Sequence, residues 1–143
     1  MHLFTMATVF IVVSLVSVEF SVAAFVDPAA RRLDPQPQLN LLSRLASVLG
    51  KVMPVWYPVS ALLLVIQTWL SWHSSGRGIL LTATAIWLLA SVGSILFLVP
   101  LNTRVAKGDA DWQRIHRIWD KRHRVRTVAL AVAAVLFTYV VVR

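Results

Sequence analysis

Two groups of residues in this chain have the types and spacing that chemistry needs. The first is Glu19, an ionisable side chain inside an apolar run over residues 3–26. A carboxylate at such depth in a hydrocarbon-length segment is costly and turns toward a bundle interior or a cavity. Seven residues separate it from Val26, which sets it about 10 Å inside the end of the run. It reads as a base or a ligand, with a buried ion pair to an arginine as the structural alternative. The second group follows Gly108. Trp112, His116, Trp119, His123 and Arg126 recur at steps of 4, 3, 4 and 3, one stripe along one helix face. Tryptophan and arginine can serve merely as interfacial anchors, but an anchor has no need of imidazole, which can take or give a proton near neutral pH.

Three more polar residues lie where apolar segments begin or end: Tyr57 beside Trp56, and Asn102 and Arg104 after Pro100. Glu19, Tyr57, Asn102, Arg104, His123 and Arg126 thus come from four segments or their ends and map to one third of a bundle. A pocket there would have apolar walls and a few polar groups at one end. Asp120 reads as a surface ion pair with Arg117, Arg124 or His116 of its own helix. His2 and His73 read as surface residues at the opposite end. Glu19 with His116 and His123 would offer nitrogen and oxygen ligands suited to iron, copper or zinc. Two histidines seven apart on a helix, however, are about 10 Å apart along its axis, too far to share an ion easily. The chain has no cysteine, so thiolate sites and disulfides are excluded. No nucleotide-binding loop, zinc-protease motif or serine elbow occurs.

The elements that must position these groups are membrane helices. Of the 143 residues 58% are hydrophobic and only 14% charged, where soluble domains carry about 25% charged residues. Spans are expected at about 3–26, 52–72, 79–101 and 127–142, joined by connections 27–51, 73–78 and 102–126. The fold class is therefore all-α: an integral-membrane four-helix bundle, with residues 1–143 a single transmembrane domain. Twelve of the 14 lysines and arginines fall in the first and third connections. The positive-inside rule makes that face cytoplasmic and places both termini outside, in a cell membrane. The high pI of about 11.4 then reflects attraction to anionic headgroups rather than nucleic-acid binding.

Ser21-Val22-Ala23 resembles a signal-peptidase site, but no basic segment follows Met1 and Glu19 would interrupt the apolar region, so a retained span is expected. Asp27-Pro28 should end the first helix, and Asp34-Pro35-Gln36-Pro37 should keep the next stretch from being continuous helix. Residues 40–50 read as a short amphipathic piece on the cytoplasmic interface. Ser74-Ser75-Gly76-Arg77-Gly78 is a tight turn between spans two and three. After an Asp109 or Asp111 cap, a continuous helix over about 110–142 would extend well beyond the bilayer into the cytoplasm.

Four stretches carry a family resemblance: Val18-Glu19-Phe20-Ser21-Val22-Ala23-Ala24-Phe25-Val26-Asp27-Pro28; Met53-Pro54-Val55-Trp56-Tyr57; Val99-Pro100-Leu101-Asn102-Thr103-Arg104; and Asp111-Trp112 through Trp119-Asp120-Lys121-Arg122-His123-Arg124-Val125-Arg126. They resemble the small four-helix membrane proteins of the anthrone oxygenase family, also known as domain of unknown function 1772. The resemblance implies oxidation of an anthrone-like or quinone-like aromatic that enters from the bilayer, with molecular oxygen as co-substrate. Either no cofactor or a transition metal would serve. On that reading His123 or Glu19 is the base, Arg126 and Asn102 stabilise the oxyanion, and Tyr57 and Trp119 orient the substrate. Arg104, Trp112 and His116 complete its binding surface. The alternative is a non-enzymatic membrane protein that binds lipid or a small hydrophobic molecule, or an accessory subunit. Expected partners are membrane lipid and a hydrophobic aromatic, with a homo-oligomer compatible and required for a third reading, transport.

Overall fold

The computed structural model describes residues 2–143, and it is all helix and turn. Four long helices follow one another: α1, His2–Ala30; α2, Pro35–Leu70; α3, Arg77–Ala106; and α4, Trp112–Val142. All four are long and apolar enough to cross a membrane. At 29 to 36 residues and 1.5 Å per residue they are about 44–54 Å long, well over the hydrocarbon thickness of about 30 Å. Connections shrink accordingly to residues 31–34, 71–76 and 107–111.

Three sequence expectations change here: the helix end at Asp27-Pro28, the break over Asp34-Pro35-Gln36-Pro37, and the separate piece at residues 40–50. Asp27-Pro28 does not end α1. The helix widens into one π turn at Val22–Val26, where the Asp27 N–H donates to the Val22 carbonyl, and then resumes through Ala30. The same device recurs in α3, with a π turn at Ser94–Leu98 just before Val99-Pro100. A proline ring collides with the carbonyl four residues back and supplies no N–H to it; a widened turn ahead of each proline relieves both problems without breaking the helix. Residues 40–50 are not a separate interfacial piece. They continue into the second span, because Pro35 and Pro37 occupy the first turn of α2, where the missing N–H has no partner to lose. Gly50 alone disfavours helix by only about 1 kcal/mol. Pro54 and Pro58 also lie inside α2, as membrane helices tolerate. The expected continuous fourth helix is present.

The core between the helices holds Val12, Leu15, Leu64, Leu80, Trp87, Leu130, Ala133 and Phe137, all buried. Small polar pairs add directional contacts: Thr68 and Thr84 hydroxyls lie 2.8 Å apart across α2 and α3, and Trp87 Nε1 donates to Ser60 Oγ at 3.1 Å. Phe10, Leu62, Leu89 and Val135 face outward, as side chains in contact with lipid tails would.

Candidate functional site

Along α1 the buried stripe runs Thr8, Val12, Leu15 and Glu19 at helical spacing. An ordinary helix would carry the eight residues from Glu19 to Asp27 through a net rotation of about 80°, turning Asp27 off the stripe. The π turn absorbs one extra residue and brings it back, so Asp27 is fully buried on the face that meets α4. Opposite it α4 is regular, and His116 and His123 are already two turns apart on one face. Because α1 and α4 are antiparallel, two acid–histidine pairs result: Glu19 with His123, and Asp27 with His116.

The Glu19 pair is the centre of a buried network. Tyr57 Oη donates to Glu19 Oε1 at 2.7 Å, and Arg126 Nη2 donates to Glu19 Oε2. His123 Nδ1 lies 3.2 Å from the same carboxylate oxygen. Arg126 Nη2 also meets His123 Nδ1 at 2.9 Å, and Arg126 Nη1 donates to Ser94 Oγ at 3.0 Å. His123 Nε2 is 3.2 Å from the Glu19 backbone carbonyl, which can only accept, so Nε2 carries a proton. His123 Nδ1 lies between the Glu19 carboxylate and the Arg126 guanidinium. Arg126 also stands over the Tyr57 ring, 5.4 Å from its centroid. Its buried Nε–H has no hydrogen-bond partner among the described residues, a donor left unused in a site otherwise satisfied.

The second pair is looser. His116 Nε2 is 3.3 Å from Asp27 Oδ1, yet neither atom, nor Asp27 Oδ2, completes a hydrogen bond. Asp120 lies within hydrogen-bonding reach of Asp27. Its expected ion pair with Arg124 of the same helix is present, but Asp120 is buried and also meets Arg31, so its surface setting is corrected. Trp119 separates the two pairs, stacked on His123 at 4.6 Å and on His116 at 5.6 Å.

Of the residues singled out in the sequence, Glu19, Tyr57, His123 and Arg126 come together, with Trp119 against them, while His116 and Trp112 lie toward the second pair. Asn102 and Arg104 stand apart, contrary to their expected convergence. Asn102 Nδ2 reaches the Ala46 carbonyl of α2 at 3.4 Å, and Arg104 pairs with Asp109 across the 107–111 turn. The Asp111 backbone N–H and the Arg104 guanidinium hold the Asp109 carboxyl below the ordinary aspartate value. Ser94, Asp27 and Arg31 join the two networks without having stood out as site residues in the sequence. Among the described residues no three histidine, aspartate or glutamate side chains are grouped to hold a metal ion.

Two hollows flank these groups. An open apolar groove of about 780 Å³ runs along α1 past Thr5, Val9, Val13 and Ser17, and ends at Val18 and Trp56, the chain neighbours of Glu19 and Tyr57. A smaller polar cavity of about 270 Å³ adjoins His116.

Fold and site together define a four-helix protein whose helices are long and apolar enough to cross a membrane, with a buried network of Glu19, His123, Arg126 and Tyr57 between them. The chain belongs to the anthrone oxygenase family, whose family model matches residues 43–136. That match includes Tyr57, His116, His123 and Arg126; Glu19 and Asp27 precede it, and their place in the site comes from the structure. No curated protein and no solved structure matches the chain.

Proposed function

We propose that this chain is an intramembrane oxygenase that converts an anthrone-like aromatic to a quinone, its acid–base centre formed by Glu19, His123, Arg126 and Tyr57. The observation that carries this reading is the Nε–H of Arg126, unpartnered among the described residues, next to a carboxylate and an imidazole inside the bundle. A cation with a free donor beside a base is what an enolising substrate requires.

An anthrone has an acidic CH2 across the ring from its carbonyl. The Glu19–His123 pair takes one proton from that carbon, and the electrons of the C–H bond pass to the carbonyl oxygen. Arg126, through its free Nε–H, stabilises the resulting oxyanion. The carbanion transfers an electron to O2 and the pair collapses to a carbon hydroperoxide after protonation. Loss of the second C–H proton then breaks the O–O bond and releases water, so anthrone plus O2 gives quinone plus water. The groove past Val18 and Trp56 supports approach from the bilayer, and the cluster of basic residues near the 31–34 and 107–111 turns supports a cytoplasmic setting for that end.

The test is turnover of anthrone by the detergent-purified chain. His123→Ala, with helical content retained, should lose about 100-fold or more in rate, the scale of general acid–base catalysis. Unchanged turnover would remove His123 from the mechanism. The size of the apolar groove favours a second reading, a binder of lipid or another hydrophobic molecule. Stoichiometric co-purification of such a molecule without any anthrone oxidation would establish that reading instead.

A further inference from the structure

The Asp27–His116 pair takes no part in the chemistry above. We infer that it is a second proton-transfer site, which binds an acidic planar hydroxyl compound, a phenol or enol, in the cavity lined by Arg31, Gln38, Trp112, Gln113, His116 and Arg117.

Three observations carry the assignment. First, Asp27 is fully buried, and among the described residues neither carboxylate oxygen receives a hydrogen bond from a backbone N–H or a cationic side chain; the polar groups that come within reach of it are His116 and the Asp120 carboxyl. Native structures rarely leave a carboxylate so, and each case calls for an explanation. Secondly, the only ion-pair contact of Asp27 among the described residues is His116, which forms part of the cavity wall. A carboxylate accepts and never donates, so the imidazole nitrogen facing it, Nε2, is the one to carry hydrogen. Nδ1 then keeps a lone pair. That nitrogen has no hydrogen-bond partner among the described residues, and stacking on Trp119 fixes the ring plane. A buried acid behind a histidine with its other nitrogen free is the arrangement of a general base. Thirdly, the rest of the wall suits the conjugate anion. Arg117 is exposed and has no ion-pair partner among the described residues, Arg31 keeps about half of its side chain exposed while meeting Asp120, and two glutamines supply further N–H groups. Trp112 offers a flat apolar surface for a ring.

The step balances within the site. The ligand O–H bond breaks and its proton goes to His116 Nδ1. Asp27 offsets the imidazolium, while Arg117 and Arg31 offset the new oxyanion. No oxidant or further reactant is consumed. Of the other charged groups at this level, Asp120 faces Asp27 but is held by Arg31 and Arg124, and His123, beyond Trp119, meets Glu19 and Arg126. The assignment is independent of whether the Glu19 centre turns over.

The probe is 2-naphthol, whose ultraviolet absorption moves to longer wavelength on ionisation, titrated at neutral pH into the full chain in detergent micelles. The expected result is a saturable naphtholate band with one site per chain. Asp27→Asn and His116→Gln should each reduce the band about tenfold or more with helical circular dichroism retained, and Arg117→Gln should raise the Kd about tenfold. Should Asp27→Asn fail to fold, His116→Gln and Arg117→Gln still test the site. Absence of a saturable band in the folded natural chain, or a band that survives His116→Gln unchanged, would overturn the assignment.

Discussion

Replacing Arg126 by methionine should destabilise the bundle far more than replacing Arg126 and Glu19 together. The reason lies in their burial. Glu19 is 3% exposed, and among the described residues Arg126 is the one guanidinium that reaches it. Arg126→Met leaves a carboxylate in the bundle with the Tyr57 hydroxyl as its remaining strong donor. Removal of one partner from a buried pair costs about 3–5 kcal/mol, because the other charge stays behind. Glu19→Leu leaves the guanidinium with Ser94 and His123 alone and strips the Tyr57 hydroxyl of its acceptor, so its effect should be of similar size. The two losses would add to roughly 6–10 kcal/mol if the residues were independent. Replacing both by apolar side chains of similar volume is often neutral or even stabilising, so the double variant should lose no more than about 3 kcal/mol. The assay is reversible unfolding in mixed micelles followed by helical circular dichroism on all four proteins. An Arg126→Met loss below about 1 kcal/mol, or a double variant equal to the sum of the singles within about 0.5 kcal/mol, would refute the reasoning.

Other consequences are smaller. Tyr57→Phe removes a 2.7 Å hydrogen bond to a buried carboxylate and should lower stability by about 1.5–3 kcal/mol in the same assay; an effect within 0.5 kcal/mol, roughly the scale of neutral surface changes, would show that the hydroxyl is not engaged. Thr68→Val should lower stability by only about 0.6 kcal/mol through loss of its contact with Thr84, and a loss of several kcal/mol would contradict that. Asp109 has a depressed pKa in the folded protein, so the turn contact it makes is present at neutral pH and is lost as pH falls through that lowered value. The Asp111 amide resonance should therefore titrate with a midpoint below the ordinary aspartate value, and a midpoint at or above it would exclude the N–H contact.

Most of the Glu19 centre is legible in the sequence, and the reason is physical. Glu19 stands out because charge in an apolar run is rare, and the α4 stripe because 4-3-4-3 spacing survives in an uninterrupted helix. Both kinds of signal depend on regular geometry, and the misses occur where it fails or does not apply. Asp27 reads as the end of a helix because Pro28 ordinarily breaks one; only the π turn at Val22–Val26 returns it to the buried face. Asn102 and Arg104 share with Glu19 only an expected depth in the membrane. Depth does not fix rotation about a helix axis, and α3 turns them toward Ala46 and Asp109 instead. Asp120 reads as solvated among arginines, yet its partner Arg31 comes from beyond α1, a pairing no local spacing records.

Oxygen uptake with anthrone as substrate, measured on the natural chain and on Glu19→Gln, tests the acid–base centre most directly. The natural chain should consume one O2 per quinone formed, and uptake should fall about 100-fold or more in Glu19→Gln with the helical bundle intact. Equal uptake by the two proteins would contradict a catalytic role for Glu19 and the centre built around it.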